Sequence, residues 1–161
     1  MTPKQKPGRS KQDYKTPPEF LEAVKKRFRI SEFALDLAAS NGNNVCLEYY
    51  TKENDSLRKD LSWESNGVAW LNPPYSNIRP WVKKAHEQTL ASNLVDLFML
   101  LPAAVGSNWF RDYVNLKCRI ILLNGRIRFV GASGPYPKDC MLLHYNMTAP
   151  KGYEVWDWRV K

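Results

Sequence analysis

Apolar residues recur at helical spacing over 19–28, where Phe20, Leu21, Val24 and Phe28 form one stripe and Lys25, Lys26 and Arg27 face solvent. The preceding Thr16-Pro17-Pro18-Glu19 fits a helix start, with Thr16 as N-cap, Pro17 in the first turn and Glu19 completing a T-x-x-E box. Phe33 to Ala38 is an apolar run carrying one carboxylate, Asp36, and predicts a buried strand. A buried carboxylate without a partner is costly, so Asp36 is expected to have one. Small polar residues at 39–44 predict a loop, Cys46 to Thr51 a weak strand, and Lys52 to Ser62 a polar loop with a short helical turn. Gly67 to Leu71 is a strand. Arg79 to Ala91 is a helix, because Ile78, Trp81 or Val82, Ala85 and Thr89 or Leu90 keep helical spacing and Pro80 is tolerated in a first turn. Further strands are predicted over Leu94–Leu101, Cys118–Leu123, Asp139–Tyr145 and Tyr153–Val160, with a short helix over Asn108–Val114. Asn124-Gly125 predicts a tight turn that pairs Arg126–Val130 back as a hairpin strand. Helix and strand alternate through the first two thirds, which predicts parallel α/β layering with hairpin-joined strands towards the C-terminus.

Composition changes this picture little. A chain of 161 residues is long enough for one core, and we expect a single domain over residues 13–161 behind a basic, disordered tail at 1–12. Cys46, Cys118 and Cys140 are dispersed and odd in number, without a CxxC pair, which favours a reduced cytosolic protein without a zinc site. The longest apolar run, Leu97–Leu101, is too short to cross a bilayer, and the N-terminus lacks the apolar stretch of a signal peptide. The net charge of +8 favours a polyanionic partner, but residues 1–15 carry +4 of it. The remaining clusters, Lys25-Lys26-Arg27 with Arg29, Lys83-Lys84, and Arg126 with Arg128, are of a kind more often solvated than binding.

The most specific chemistry sits directly after the 67–71 strand, at Asn72-Pro73-Pro74-Tyr75. The prolines bias Asn72 and Pro73 to extended geometry and make a stiff polar ledge at the strand end. The Asn72 side-chain oxygen and the Pro73 carbonyl are uncharged acceptors, suited to the two hydrogens of a planar NH2 group, and Tyr75 can stack on the ring that bears it. Taken alone, the tetrapeptide is equally compatible with a plain turn. Its position between a strand and a helix is where α/β sheets bind ligands.

The chain resembles the phage-type DNA N6-adenine methyltransferases, a Dam-like family of small enzymes that use S-adenosylmethionine. The likeness rests on Tyr14-Lys15-Thr16-Pro17-Pro18-Glu19-Phe20, Leu35-Asp36-Leu37-Ala38-Ala39-Ser40, Tyr49-Tyr50-Thr51, Asp55-Ser56-Leu57, Asp60 and Trp63. It continues through Trp70-Leu71-Asn72-Pro73-Pro74-Tyr75, Leu100-Leu101-Pro102 and Gly125-Arg126-Ile127-Arg128-Phe129, and so covers roughly Asp13 to Tyr145 in order. The resemblance implies a class I, Rossmann-like methyltransferase fold: a largely parallel sheet with helices on both faces and the cofactor over the carboxyl ends of the first strands. It places Thr16 and Pro17 near the methionine end of S-adenosylmethionine and Asp36 where the first strand meets the cofactor. Asp55 and Asp60 become candidates for its ribose and adenine. The glycine-rich F-x-G-x-G loop of many adenine methyltransferases is replaced by Asp36-Leu37-Ala38-Ala39, as in the phage-type branch, which puts Ala38 against the cofactor. Bland alternatives stand beside these roles: Thr16 as a helix cap, and Asp55 and Asp60 as solvated loop acids.

Arg126 and Arg128 alternate around Ile127 as on a half-exposed strand, and with Phe129 they form a basic lip with an aromatic surface, a candidate DNA contact. Trp81 and Trp109 are expected in the core. The expected reaction is transfer of the sulfonium methyl to the N6 amine of an adenine flipped out of double-stranded DNA, in the cytoplasm of a bacterial host if the gene is phage or prophage DNA. Two rivals stand beside it: methylation of an RNA or protein amine or amide through the same Asn72-Pro73-Pro74-Tyr75, and a nucleic-acid-binding module without catalysis that uses the basic tail and the Arg126/Arg128 strand. Target readout is expected from loops around Gly106-Ser107-Asn108, from Gly131 to Lys138, or from the second subunit of a homodimer.

Overall fold

The computed structural model describes residues 14–160; the expected tail at 1–12 lies outside them. Strands β1 (Leu35–Asp36), β2 (Ser65–Leu71), β3 (Leu94–Pro102), β4 (Arg119–Asn124), β5 (Cys140–Tyr145) and β6 (Tyr153–Asp157) form one sheet in the order β1-β2-β3-β5-β4-β6. The pairs β1-β2, β2-β3 and β4-β6 are parallel, and β5 is antiparallel to both of its neighbours. The architecture is therefore mixed α/β, with β5 alone reversed.

The central strands are buried on both faces, which is why they read as continuous apolar runs without alternation. On one face Leu97, Met99 and Leu101 of β3 pack with Val82 and Ala85 of α2 (Arg79–Leu90), and Phe110 and Tyr113 of α3 (Asn108–Tyr113) close the same side. On the other face Phe98 and Leu100 meet Phe20 and Val24 of α1 (Pro18–Phe28). Among the described residues, no helix is long and apolar enough to cross a membrane.

Five expectations are corrected. Thr16 does not cap α1: the N-cap is Pro17, with no side-chain cap bond. A cap is worth about 1 kcal/mol, whereas burying Phe20 and Val24 contributes on the order of 1.5–3 kcal/mol each, so the helix docks without one. The Phe33–Ala38 strand shrinks to Leu35–Asp36, although Ala34 and Leu37 still donate to Val68 and Trp70. The weak strand at Cys46–Thr51 becomes a single parallel bridge, Asp36 to Tyr49, along the β1 edge. Arg126–Val130 is no hairpin strand: β4 lies between β5 and β6, so both of its edges are taken. The chain leaves β4 at Gly125, whose φ of +106° suits glycine, and the alternation that follows buries Ile127 and Phe129 in the core cluster that holds Phe20 and Val24. Finally, Lys84 is not on a solvated face but buried.

Candidate active site

The unit β2-α2-β3 is a parallel crossover, and Asn72-Pro73-Pro74-Tyr75 lies where β2 ends and the chain turns towards α2. The Asn72 amide is held from the N-terminal side of the chain. Its Nδ2 donates to the Tyr14 carbonyl at 2.7 Å and to Thr16 Oγ1 at 3.1 Å. The Tyr75 hydroxyl donates to Asn72 Oδ1 at 2.8 Å and lies 3.1 Å from the Leu100 carbonyl. Burial pushes the Tyr75 phenol well above its ordinary value, so it stays a protonated donor. Its ring packs in an aromatic cluster, with centroids 5.9 Å from Tyr14, 6.2 Å from Phe129 and 5.7 Å from Tyr136.

Beside this ledge lies a cleft of about 650 Å³, a size typical of small-molecule sites. Asn72, Pro74 and Trp81 line it together with residues 37–41 after β1 and the 51–56 loop. Of the expected cofactor residues, Ala38 and Asp55 line the cleft, while Thr16 and Asp36 line a smaller adjoining hollow that shares Tyr14, Ala38 and Asn72 with it. Pro17 and Asp60 line neither; Asp60 is exposed and paired with Arg58 at 2.6 Å.

Asp36 has the partner its burial demands. Oδ1 accepts from the Ala38 N–H at 3.2 Å and Oδ2 from the Val45 N–H at 3.1 Å. Desolvation nevertheless raises its carboxyl to about 6, against the opposing pull of those two N–H groups. The carboxylate thus braces the loop after β1 from below.

The opposite wall is pinned by Lys84 of α2, whose ammonium donates to the carbonyls of Ser56 (2.7 Å), Arg58 (2.8 Å) and Leu61 (2.6 Å). It also lies 5.3 Å from the Trp63 ring centroid. Ser56 in turn donates to the Leu37 carbonyl, which ties the two walls together.

Glu53, Trp81 and Lys84 join the site without a motif that marks them for it, and Tyr14, part of the 14–20 likeness but given no role there, joins it through its carbonyl. Helical spacing alone puts Trp81 in the core, yet it also lines the cleft and stacks on Trp63 at 6.2 Å. The available signal is Lys84 itself, one helical turn after Trp81 and so on the same face. Of the candidate DNA contacts, Arg126 and Arg128 are exposed, whereas Phe129 is buried under Tyr14 at 4.8 Å, so its face is covered in this conformation.

The model of the DNA N-6-adenine-methyltransferase (Dam) family matches residues 4–140, most of the chain and all of the elements just described up to the start of β5. The chain belongs to this family. Among similar proteins, a DNA N-6-adenine-methyltransferase of Escherichia phage T1 is 39% identical over 99 residues, 62% of this chain. That match spans only 39% of the phage T1 protein. A DNA N-6-adenine-methyltransferase of Haemophilus phage HP1 is 32% identical over 127 residues, 75% of this chain and 71% of the relative. The Dam-family match takes in Asp36, the 51–56 loop, Asn72–Tyr75 and Arg126–Phe129, so every element around the cleft falls inside it.

Proposed function

We propose that the protein transfers a methyl group from S-adenosylmethionine to the N6 amine of adenine in double-stranded DNA, on a class I, Rossmann-like domain spanning residues 13–161. The observation that carries this is the Asn72 amide, immobilised at the carboxyl end of β2 on the wall of a cleft suited to a nucleoside-sized cofactor. Family membership and the names of the two phage relatives support the same reaction.

The residues present fit the cofactor. Ala38 leaves the floor beside the Asp36-braced loop open, Asp55 and Glu53 offer carboxylates to hydroxyls or an ammonium, and Trp81 offers an aromatic wall. S-adenosylmethionine would supply an electrophilic methyl group on sulfur.

The chain's own part is positioning. Asn72 Oδ1 and the Pro73 carbonyl accept the two amine hydrogens of a flipped adenine, which turns the nitrogen lone pair out of conjugation and towards the cleft. Fixed dipoles do this without reorganising in the transition state, and no covalent nucleophile is needed. Arg126 and Arg128 contact the DNA backbone, and the reaction takes place in the host cytoplasm.

Incubation with duplex DNA and methyl-labelled S-adenosylmethionine tests the proposal: label is expected in N6-methyladenine, and label elsewhere or nowhere refutes it. Asn72→Ala is expected to lower transfer by on the order of a hundredfold or more while leaving cofactor affinity near that of the parent.

A further inference from the structure

We infer that Thr16 is a positioning residue: its hydroxyl, with the neighbouring Tyr14 carbonyl, fixes the plane and sense of the Asn72 amide, leaving one oxygen lone pair for the substrate amine. The inference rests on the proposed role of Asn72 and assigns Thr16 neither to the helix cap nor to the cofactor.

An asparagine amide has two donor hydrogens and two acceptor lone pairs, and its last torsion is broad and loosely two-fold. Such a group does not choose its own orientation, so a preorganised acceptor needs its neighbours to choose. Here the Tyr14 carbonyl, an acceptor only, lies 2.7 Å from Nδ2 and fixes which end carries the nitrogen. Turning the amide over would set its oxygen against that carbonyl, lone pair to lone pair.

Thr16 Oγ1 takes the second hydrogen at 3.1 Å, and two acceptors on one nitrogen define the plane. Tyr75 donates to one lone pair of Oδ1. Three of the four hydrogen-bonding capacities are then used by the described residues, and the fourth is left for the substrate.

Thr16 can take this task because it is not engaged at α1, where Pro17 is the N-cap without a side-chain bond. The residue is 5% exposed, so the hydroxyl is not a solvated group that meets Asn72 in passing. It lines the small hollow beside Asn72 and not the main cleft.

Thr16→Val keeps the shape and removes the acceptor; Thr16→Ser restores it. The first readout needs no catalysis: the Asn72 side-chain amide signals, assigned by their loss in Asn72→Ala, are followed by NMR. In the parent both hydrogens are expected to exchange more slowly than those of exposed Asn77. In Thr16→Val one is expected to shift and exchange faster, with Thr16→Ser like the parent. The second readout is kinetic, with kcat expected to fall on the order of tenfold to a hundredfold in Thr16→Val at unchanged affinity for S-adenosylmethionine, and to return in Thr16→Ser.

Amide signals unmoved by Thr16→Val overturn the proposal, as do parent amide hydrogens exchanging like those of Asn77, a result that does not depend on the folding of a Thr16 variant. Weaker cofactor binding with kcat intact at saturation would also overturn it and assign Thr16 to the cofactor. A parent protein that transfers no methyl to adenine would sink the proposed function instead, and the amide exchange would still decide the role of Thr16.

Discussion

Asp36 carries two demands that pull its chemistry apart. It must be ionised to accept well from the Ala38 and Val45 N–H groups, yet burial raises its carboxyl from 3.8 to about 6. A carboxyl raised on folding makes the folded chain take up the proton first as pH falls. Its stabilising contribution is therefore present below about pH 4, declines between about 4 and 6, and is absent above that. His86, whose burial lowers its value from 6.5, works in the opposite direction over an adjoining range, so the parent profile alone mixes the two. Comparison with Asp36→Asn isolates the carboxyl. The stability difference should move in favour of the parent by up to about 3 kcal/mol as pH falls from about 7 to about 4, measured by denaturant unfolding. A pH-independent difference removes this account of Asp36. At this scale the sequence is informative about identity and less so about partners. Residue type marks Asn72, Tyr75 and Asp36, but Thr16 looks like a cap because a T-x-x-E string has the same letters whether or not the hydroxyl turns towards the helix.

Helix α2 shows how a charged residue can serve an element's interior. Lys84 spends all three ammonium hydrogens on carbonyls of the 56–61 segment, and burial lowers its pKa. Lys84→Met keeps the stem and deletes the charge. It should cost about 1–3 kcal/mol of stability through the unpaired carbonyls, seen as a lower denaturation midpoint. It should also weaken S-adenosylmethionine binding, measured by calorimetry, because the 51–56 wall loses its tie to α2; unchanged affinity would show that the wall stands without it. The elements themselves are largely legible: α1, α2, β2, β3, β4 and β5 fall within two residues of their expected bounds. Lys84 is hidden because charge outweighs spacing in a pattern reading. The segment 126–130 is half legible: alternation shows which residues turn inward, but not that β6 already holds the β4 edge a hairpin would need, a fact set some thirty residues downstream.

For the whole molecule, the segment that carries exposed Arg126 and Arg128 is tied to the N-terminal residues that hold Asn72, by the Val130 N–H on the Lys15 carbonyl and by Phe129 stacked on Tyr14. Arg126→Ala with Arg128→Ala should weaken duplex DNA binding and flatten the slope of log affinity against log salt by about 1–2, while cofactor affinity is unchanged. An unaltered slope places the phosphate contacts elsewhere. The α/β layering is readable because apolar runs and crossover spacing are local, whereas strand order, and with it the reversal of β5, depends on pairings that no local pattern encodes.

Three consecutive residues join these scales. Tyr14 and Thr16 hold the Asn72 amide, and between them the Lys15 carbonyl accepts from the Val130 N–H at 3.0 Å. The arginine-bearing segment and the amide clamp are thus anchored on the same three-residue stretch of backbone. On the proposed function, the segment offered to the duplex and the amide offered to the amine therefore share one anchor in the backbone.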